Sequence, residues 1–138
     1  MNTINIFGKP CKINEKKYLV KWDIKKASKL QFAAKQFFYP FWRDHTVLEE
    51  FRIPSSLLRI DLLNLTKKIV VEIHGRQHTD YVKHFHGNRE GYRAAWLKDI
   101  EKEDWISKAG FKFVEVFEKD VPLLSRKFFM DKYDIDII

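Results

Sequence analysis

The amino-acid sequence predicts an α/β (α+β) fold: a central mixed β-sheet, made of an antiparallel meander plus one crossover strand, flanked by helices. Three strand signals in a row, joined by three-residue turns, predict the meander. Helical periodicity before and after them, with one more alternating strand behind the second helix, predicts the flanking layers and the crossover.

Thr3 to Phe7 and Tyr18 to Trp22 alternate weakly and read as short strands. Ser28 suits the N-cap of a helix over residues 29–42, because its hydroxyl can accept from an unpaired N–H of the first turn. Leu30, Ala33, Ala34, Phe37, Phe38 and Phe41 keep the helical period, and Pro40, which lacks an N–H, is expected to end or kink the helix. Val47 to Ile53 alternates, with Val47, Glu49, Phe51 and Ile53 on one face and Leu48, Glu50 and Arg52 on the other. Pro54-Ser55-Ser56 is a turn. Leu57 to Leu65 is apolar but interrupted by Arg59, Asp61 and Asn64, and Thr66-Lys67-Lys68 is the next turn. Ile69 to Ile73 is β-branched and almost unbroken, as in a strand buried on both faces.

Residues 74–88 are polar, basic and His-rich, and read as a loop. Arg89 to Ala109 reads as a helix with Tyr92, Ala95, Trp96, Ile100, Trp105 and Ile106 on or near one face, capped by Gly110. Phe111 to Phe117 alternates cleanly and joins the sheet by a crossover. Asp120 is the expected cap of a last helix through about residue 130, with Pro122 in its first turn. The whole chain reads as a single domain, with a core over about 28–121, an N-terminal extension over 1–27 and a C-terminal helix and tail over 122–138.

A length of 138 residues suits one domain, and 45% hydrophobic content suffices for a core. The net charge of +7 favours a polyanionic partner, a nucleic acid or an anionic membrane surface. Cys11 is alone, so no intrachain disulfide forms. No signal-peptide pattern opens the chain, and no apolar run approaches the ~20 residues that span a bilayer, so the chain reads as intracellular and cytoplasmic, without a membrane partner.

The chemistry concentrates between Arg59 and His78. Asp61 stands inside one apolar run and Glu72 at the end of the next. A carboxylate in an apolar strand is costly to desolvate unless something pairs with it. The turn between them is centred so that Asp61 and Glu72 should face each other across a tight hairpin. Like charges there repel unless a cation intervenes. Two carboxylates, waters and phosphate oxygens make a site suited to Mg²⁺ or Mn²⁺. Pairing of either acid with Arg59, Lys98 or Arg76 is the alternative.

His74 follows Glu72 by two residues, so a continuing strand puts both on one face. There an imidazole could orient water, act as a base or protonate a leaving oxygen. His74, His78, His84 and His86 also form a tract open to zinc, although no CxxC accompanies it. Gly75 lets the chain leave the strand or approach a phosphate. Arg76, Lys83, Arg89 and Arg93 interleave with Tyr81, Phe85, Tyr92 and Trp96, as in a surface that contacts phosphates and stacks bases. Core packing is the competing role for Tyr92 and Trp96.

The helix, the hairpin with Asp61 and the run IVVEIHGRQH together resemble the PD-(D/E)XK nuclease superfamily. Within it they resemble the very-short-patch-repair-like branch, which includes T/G-mismatch endonucleases and certain phage and homing nucleases. In that branch a strand ends in an acid or aromatic, then a polar residue, Gly and a downstream His, matched here by Glu72, His74, Gly75 and His78. The run KDIEKEDWISKAGFKFVEV is similar too: Asp99, Lys102, Ile106 and Gly110 match an Asp, a basic residue three on, an apolar position and a Gly before the last strand.

The resemblance covers about residues 28–121 and implies a restriction-endonuclease-like core acting on DNA, in repair, recombination or a phage-like setting. It implies phosphodiester hydrolysis with Mg²⁺, or Mn²⁺ in its place, held by Asp61, Glu72 and the backbone carbonyl of Ile73. His74 stands where the general signature has Lys, and His78 would lie near the scissile phosphate. Ile60 replaces the usual Pro before Asp61. The first helix of the family often carries a Glu that completes the metal site. Gln31 stands at that position, and Glu49 or Glu50 on the following strand is the candidate source of the missing charge.

The expected activity is therefore that of a metal-dependent endodeoxyribonuclease. Asp61, Glu72, His74 and His78 would be catalytic, and Arg59, Arg76, Gln77, Lys83, Arg89, Arg93, Lys98 and Lys102 would contact DNA. Two other readings stand beside it: a non-catalytic nucleic-acid-binding or assembly module on the same fold, motivated by Gln31, and a zinc-stabilised binding domain using the four histidines. Residues before Ser28 are open to a role as a dimerisation arm of a homodimer, a DNA-contacting strand pair or a sheet edge.

Overall fold

The computed structural model describes residues 1–75 and 89–138. Strand β1 (Asn2–Ile4) pairs antiparallel with β2 (Pro10–Lys12). A 3₁₀ turn over Glu15–Tyr18 leads to helix α1 (Lys29–Trp42). Three strands follow, β3 (Val47–Arg52), β4 (Arg59–Asn64) and β5 (Ile69–His74). Helix α2 (Arg89–Lys108) then leads to β6 (Lys112–Phe117), a 3₁₀ segment (Glu118–Leu123) and helix α3 (Arg126–Tyr133).

The main sheet has the order β3-β4-β5-β6. The first three strands form an antiparallel meander, and β6 lies parallel to β5. The architecture is thus mixed α/β with a four-stranded mixed sheet, as the strand signals and the crossover helix predict.

Local chemistry sets the boundaries. Ser28 Oγ accepts from the Gln31 N–H at 3.0 Å and starts α1. Of the two outcomes expected for Pro40, an end does not occur: the helix runs on to Trp42, as its periodicity predicts. The one N–H that Pro40 forfeits falls in the last turn, where little helix remains to be held, and Arg43 still donates to the Tyr39 carbonyl at 2.9 Å. Gly110, at φ +86°, closes α2: its N–H bonds the Ser107 carbonyl and the Phe111 N–H bonds that of Ile106, a paired left-handed cap.

Each face of the sheet buries its own core. Phe38 and Trp42 of α1 and Phe129 of α3 pack with Val47, Leu62, Val71, Val114 and Val116 on one face. Trp105 and Ile106 of α2, with the β1–β2 hairpin, pack with Leu48, Phe51, Ile60, Leu63 and Val70 on the other. Both chain ends belong to these cores. The Trp105 indole donates to the Ile4 carbonyl at 2.9 Å and the Trp42 indole to the Ile137 carbonyl at 2.7 Å.

Other expectations need correction. Tyr18 to Trp22 is not a strand; Leu19 makes an isolated bridge to Leu48, and Val20 donates to the Val47 carbonyl, so this segment lines the outer edge of β3. The partner of β1 is Pro10–Lys12, whose composition hides it. Alternation in β3 breaks at Glu50, which takes a left-handed φ of 50°, so Phe51 and Ile53 join Leu48 rather than Val47. Trp96 and Ile100 of α2 are exposed, and the buried residues of its described side chains lie in its last turns. The last helix is not capped by Asp120: Leu124 is extended, and Ser125 Oγ accepts from Phe128 to start α3 afresh. No helix among the described residues is long and apolar enough to cross a membrane.

Candidate metal centre

The β4–β5 hairpin pairs Asn64 with Ile69, Leu63 with Val70 and Leu62 with Val71. One step further, the same register sets Asp61 opposite Glu72. There the side chain replaces the ladder: the Ile73 N–H donates to Asp61 Oδ2 at 2.8 Å. The peptide next to Glu72 is therefore tied to the acid across from it.

Glu72 is buried, 5% exposed, on the face covered by α2. Its Oε2 lies 3.4 Å from the Lys102 ammonium of α2. Its Oε1 is buried, and among the described residues nothing donates to it; the group beside it is the second acid, Asp61. Burial, and then the charge of Asp61, push the Glu72 carboxyl up to about 9, with Lys102 opposing them. At neutral pH the metal-free site thus holds a proton where a cation would otherwise be welcome.

His74 follows on the same face, its Nε2 3.3 Å from Glu115 Oε1 and its ring 5.0 Å from that of Phe117. Glu115 stands beside Glu72 in the parallel β5–β6 register. Sequence reasoning missed it; the one signal was an acid alternating with apolar residues in FKFVEVF.

The two candidate extra acids separate. Glu49 is 1% exposed and lies on the α1 face, where Lys35 Nζ approaches its Oε1 at 2.8 Å and the Lys21 N–H donates to its Oε2. Those contacts occupy Glu49 away from the hairpin acids. Glu50 falls opposite Asp61, between the bonded pairs Glu49–Leu62 and Phe51–Ile60. Its Oε1 accepts from Gln31 Nε2 at 2.8 Å, and Arg59 lies 3.9 Å from its Oε2. The amide at the first-helix position therefore contacts the site through Glu50. Across the sheet, Glu50, Asp61, Glu72 and Glu115 form one row of acids, yet among the described residues no group of three or more His, Cys, Asp or Glu side chains is close enough to share an ion.

Of the residues expected to contact DNA, Arg59, Arg93 and Lys98 are exposed, whereas Lys102 is engaged with Glu72. The side chain of Arg89 lies outside the described residues, as do Arg76, Gln77, His78, Tyr81, Lys83, His84, Phe85 and His86. Of the zinc tract, only His74 is described. No family model matches the chain, and neither a curated protein nor a solved structure matches it.

Proposed function

We propose that the protein is a metal-dependent DNA endonuclease on a restriction-endonuclease-like core. The observation that carries this reading is Glu72: a buried carboxyl group, with an oxygen to which no described residue donates, directly across a hairpin from Asp61. Two acids so placed fit a hard divalent cation that keeps most of its waters, and Mg²⁺ or Mn²⁺ would be held by Asp61 and Glu72. Bound there, the ion would neutralise phosphate charge and lower the pKa of a water.

The chain's own groups supply the rest. Asp61 fixes the Ile73 peptide and so the direction of Glu72. Lys102 offsets one negative charge of the pair from α2. His74, held against Glu115, is placed to take or give a proton beside the acids. Exposed Arg59, Arg93 and Lys98 add salt-sensitive affinity for the DNA backbone.

The decisive experiment assays plasmid nicking with Mg²⁺, Mn²⁺ or EDTA for the wild type and Glu72→Ala. Nicking that needs the metal and falls at least about 100-fold in the variant is expected, as for loss of a group that organises charge at the reacting phosphate. Undiminished cleavage by Glu72→Ala would sink the site.

The Lys102–Glu72 contact and the Gln31–Glu50 hydrogen bond favour a second reading, a DNA-binding module that does not cleave. It expects metal-independent binding with no nicking in any metal, and no change on replacing Glu72.

A further inference from the structure

The N-terminal segment carries a second surface. Residues 15–29 hold six lysines, Lys16, Lys17, Lys21, Lys25, Lys26 and Lys29, against Glu15 and Asp23, a net +4 of the chain's +7. All six lysines are exposed, and none forms an ion pair with the described residues. Solvated lysines without carboxylate partners, crowded on one stretch, make a local positive field that favours a polyanion.

The same segment walls an open groove of about 650 Å³ against α1, lined by Trp22, Ile24, Gln36 and Tyr39 with Lys21 and Asp23. Trp22 meets Tyr39 edge-on at 5.8 Å, and Tyr39 is 42% exposed. The groove is held open by buried chemistry. Lys35 of α1, 1% exposed, donates to the carbonyls of Lys21 and Ile24 at 2.6 and 2.7 Å and pairs with Glu49. Gln36 Nε2 donates to the Trp22 carbonyl at 2.6 Å. The backbone on both sides of Trp22 is therefore fixed before any ligand arrives, which lowers the ordering cost of binding.

An aromatic groove beside unpaired lysines has the chemistry of single-stranded nucleic-acid contact: a base on an aromatic ring, phosphates on ammonium groups. We propose that the groove between the Trp22 loop and α1 binds an unpaired stretch of DNA, with a base against Trp22 and Tyr39 and phosphates on Lys21, Lys25 and Lys26. Resting on the nuclease reading, this gives the substrate a single-stranded element such as a flap, bubble or frayed end.

The test measures fluorescence anisotropy of a labelled single-stranded oligonucleotide in EDTA, where cleavage plays no part. The double variant Lys25→Glu with Lys26→Glu is expected to bind at least about tenfold more weakly, with a shallower salt dependence. Tyr39→Ala is expected to lose about tenfold, and Tyr39→Phe to retain wild-type affinity. Unchanged affinity in the charge variant overturns the proposal. So does unchanged affinity in Tyr39→Ala, which would mark a polyanion surface without a base site. So does binding of anionic phospholipid vesicles in place of the oligonucleotide. Failure of the nuclease reading shows separately, as Glu72→Ala nicking like wild type, and leaves this binding series intact.

Discussion

At the scale of single residues, Glu72 decides most. Its folded carboxyl titrates near 9 against an ordinary value of 4.5. Below about pH 4.5 both folded and unfolded chains are protonated there, and nothing is lost. Between those values the unfolded chain releases a proton that the folded chain keeps, so metal-free stability falls as pH rises. Each pH unit climbed between them costs about 1.4 kcal/mol, which by pH 8 amounts to on the order of a few kcal/mol. Glu72→Gln removes that cost. In EDTA the variant should be more stable than the wild type by roughly a few kcal/mol at pH 8 and nearly equal to it at pH 4.5. Urea midpoints at the two pH values check this. A wild-type-to-variant gap that does not change with pH would show Glu72 ionising as freely as a surface acid. Glu49 makes the opposite case. Its buried partner Lys35 would be left uncompensated by Glu49→Leu, a loss of roughly 3–5 kcal/mol. Adding Lys35→Met should recover part of it, and strict additivity of the two changes would show that they are not coupled.

At the scale of elements, legibility follows whether the deciding force is local. The extent of α1 is readable because Ser28 caps it through its own third neighbour. The meeting of Asp61 and Glu72 is readable because a short turn sets hairpin register by position alone. Glu115 is not, because its place beside Glu72 depends on which strand β6 joins and in what register after a twenty-residue helix. The facing of Phe51 escapes for another reason: alternation assumes extended backbone throughout, and the left-handed Glu50 breaks it. The cap of α2 shows a local force strong enough to read. Gly110 sits at φ +86° with no atom within 4 Å of where a Cβ would stand, so Gly110→Ala meets strain but no clash. The expected cost is about 1 kcal/mol. Thermal unfolding should record it as a drop of a few degrees. No drop would mean that residues 109–111 relax without penalty.

At the scale of the molecule, the sheet is covered on both faces, and residues 1–27 complete that cover rather than append to it. Met1, Ile4, Ile6, Ile13 and Tyr18 pack on the core that holds Phe51 and Trp105, the core beneath α2. Leu19 and Val20 lie along the outer edge of β3, whose unpaired N–H and C=O groups would otherwise be open to another chain. The carbonyls of Lys21 and Ile24 accept from the buried Lys35 ammonium, which would lose two of its three acceptors if they were removed. A chain begun at Ser28 keeps the hairpin acids and the whole span on which the proposed function rests. It nevertheless loses an apolar cover, an edge guard and the neutralising contacts of a buried cation together. It should therefore lack a cooperative thermal transition and elute from size exclusion as aggregate. If residues 28–138 instead gave a monomer with a sharp transition, the span that holds the hairpin acids would fold alone, and the first 27 residues would have no structural duty.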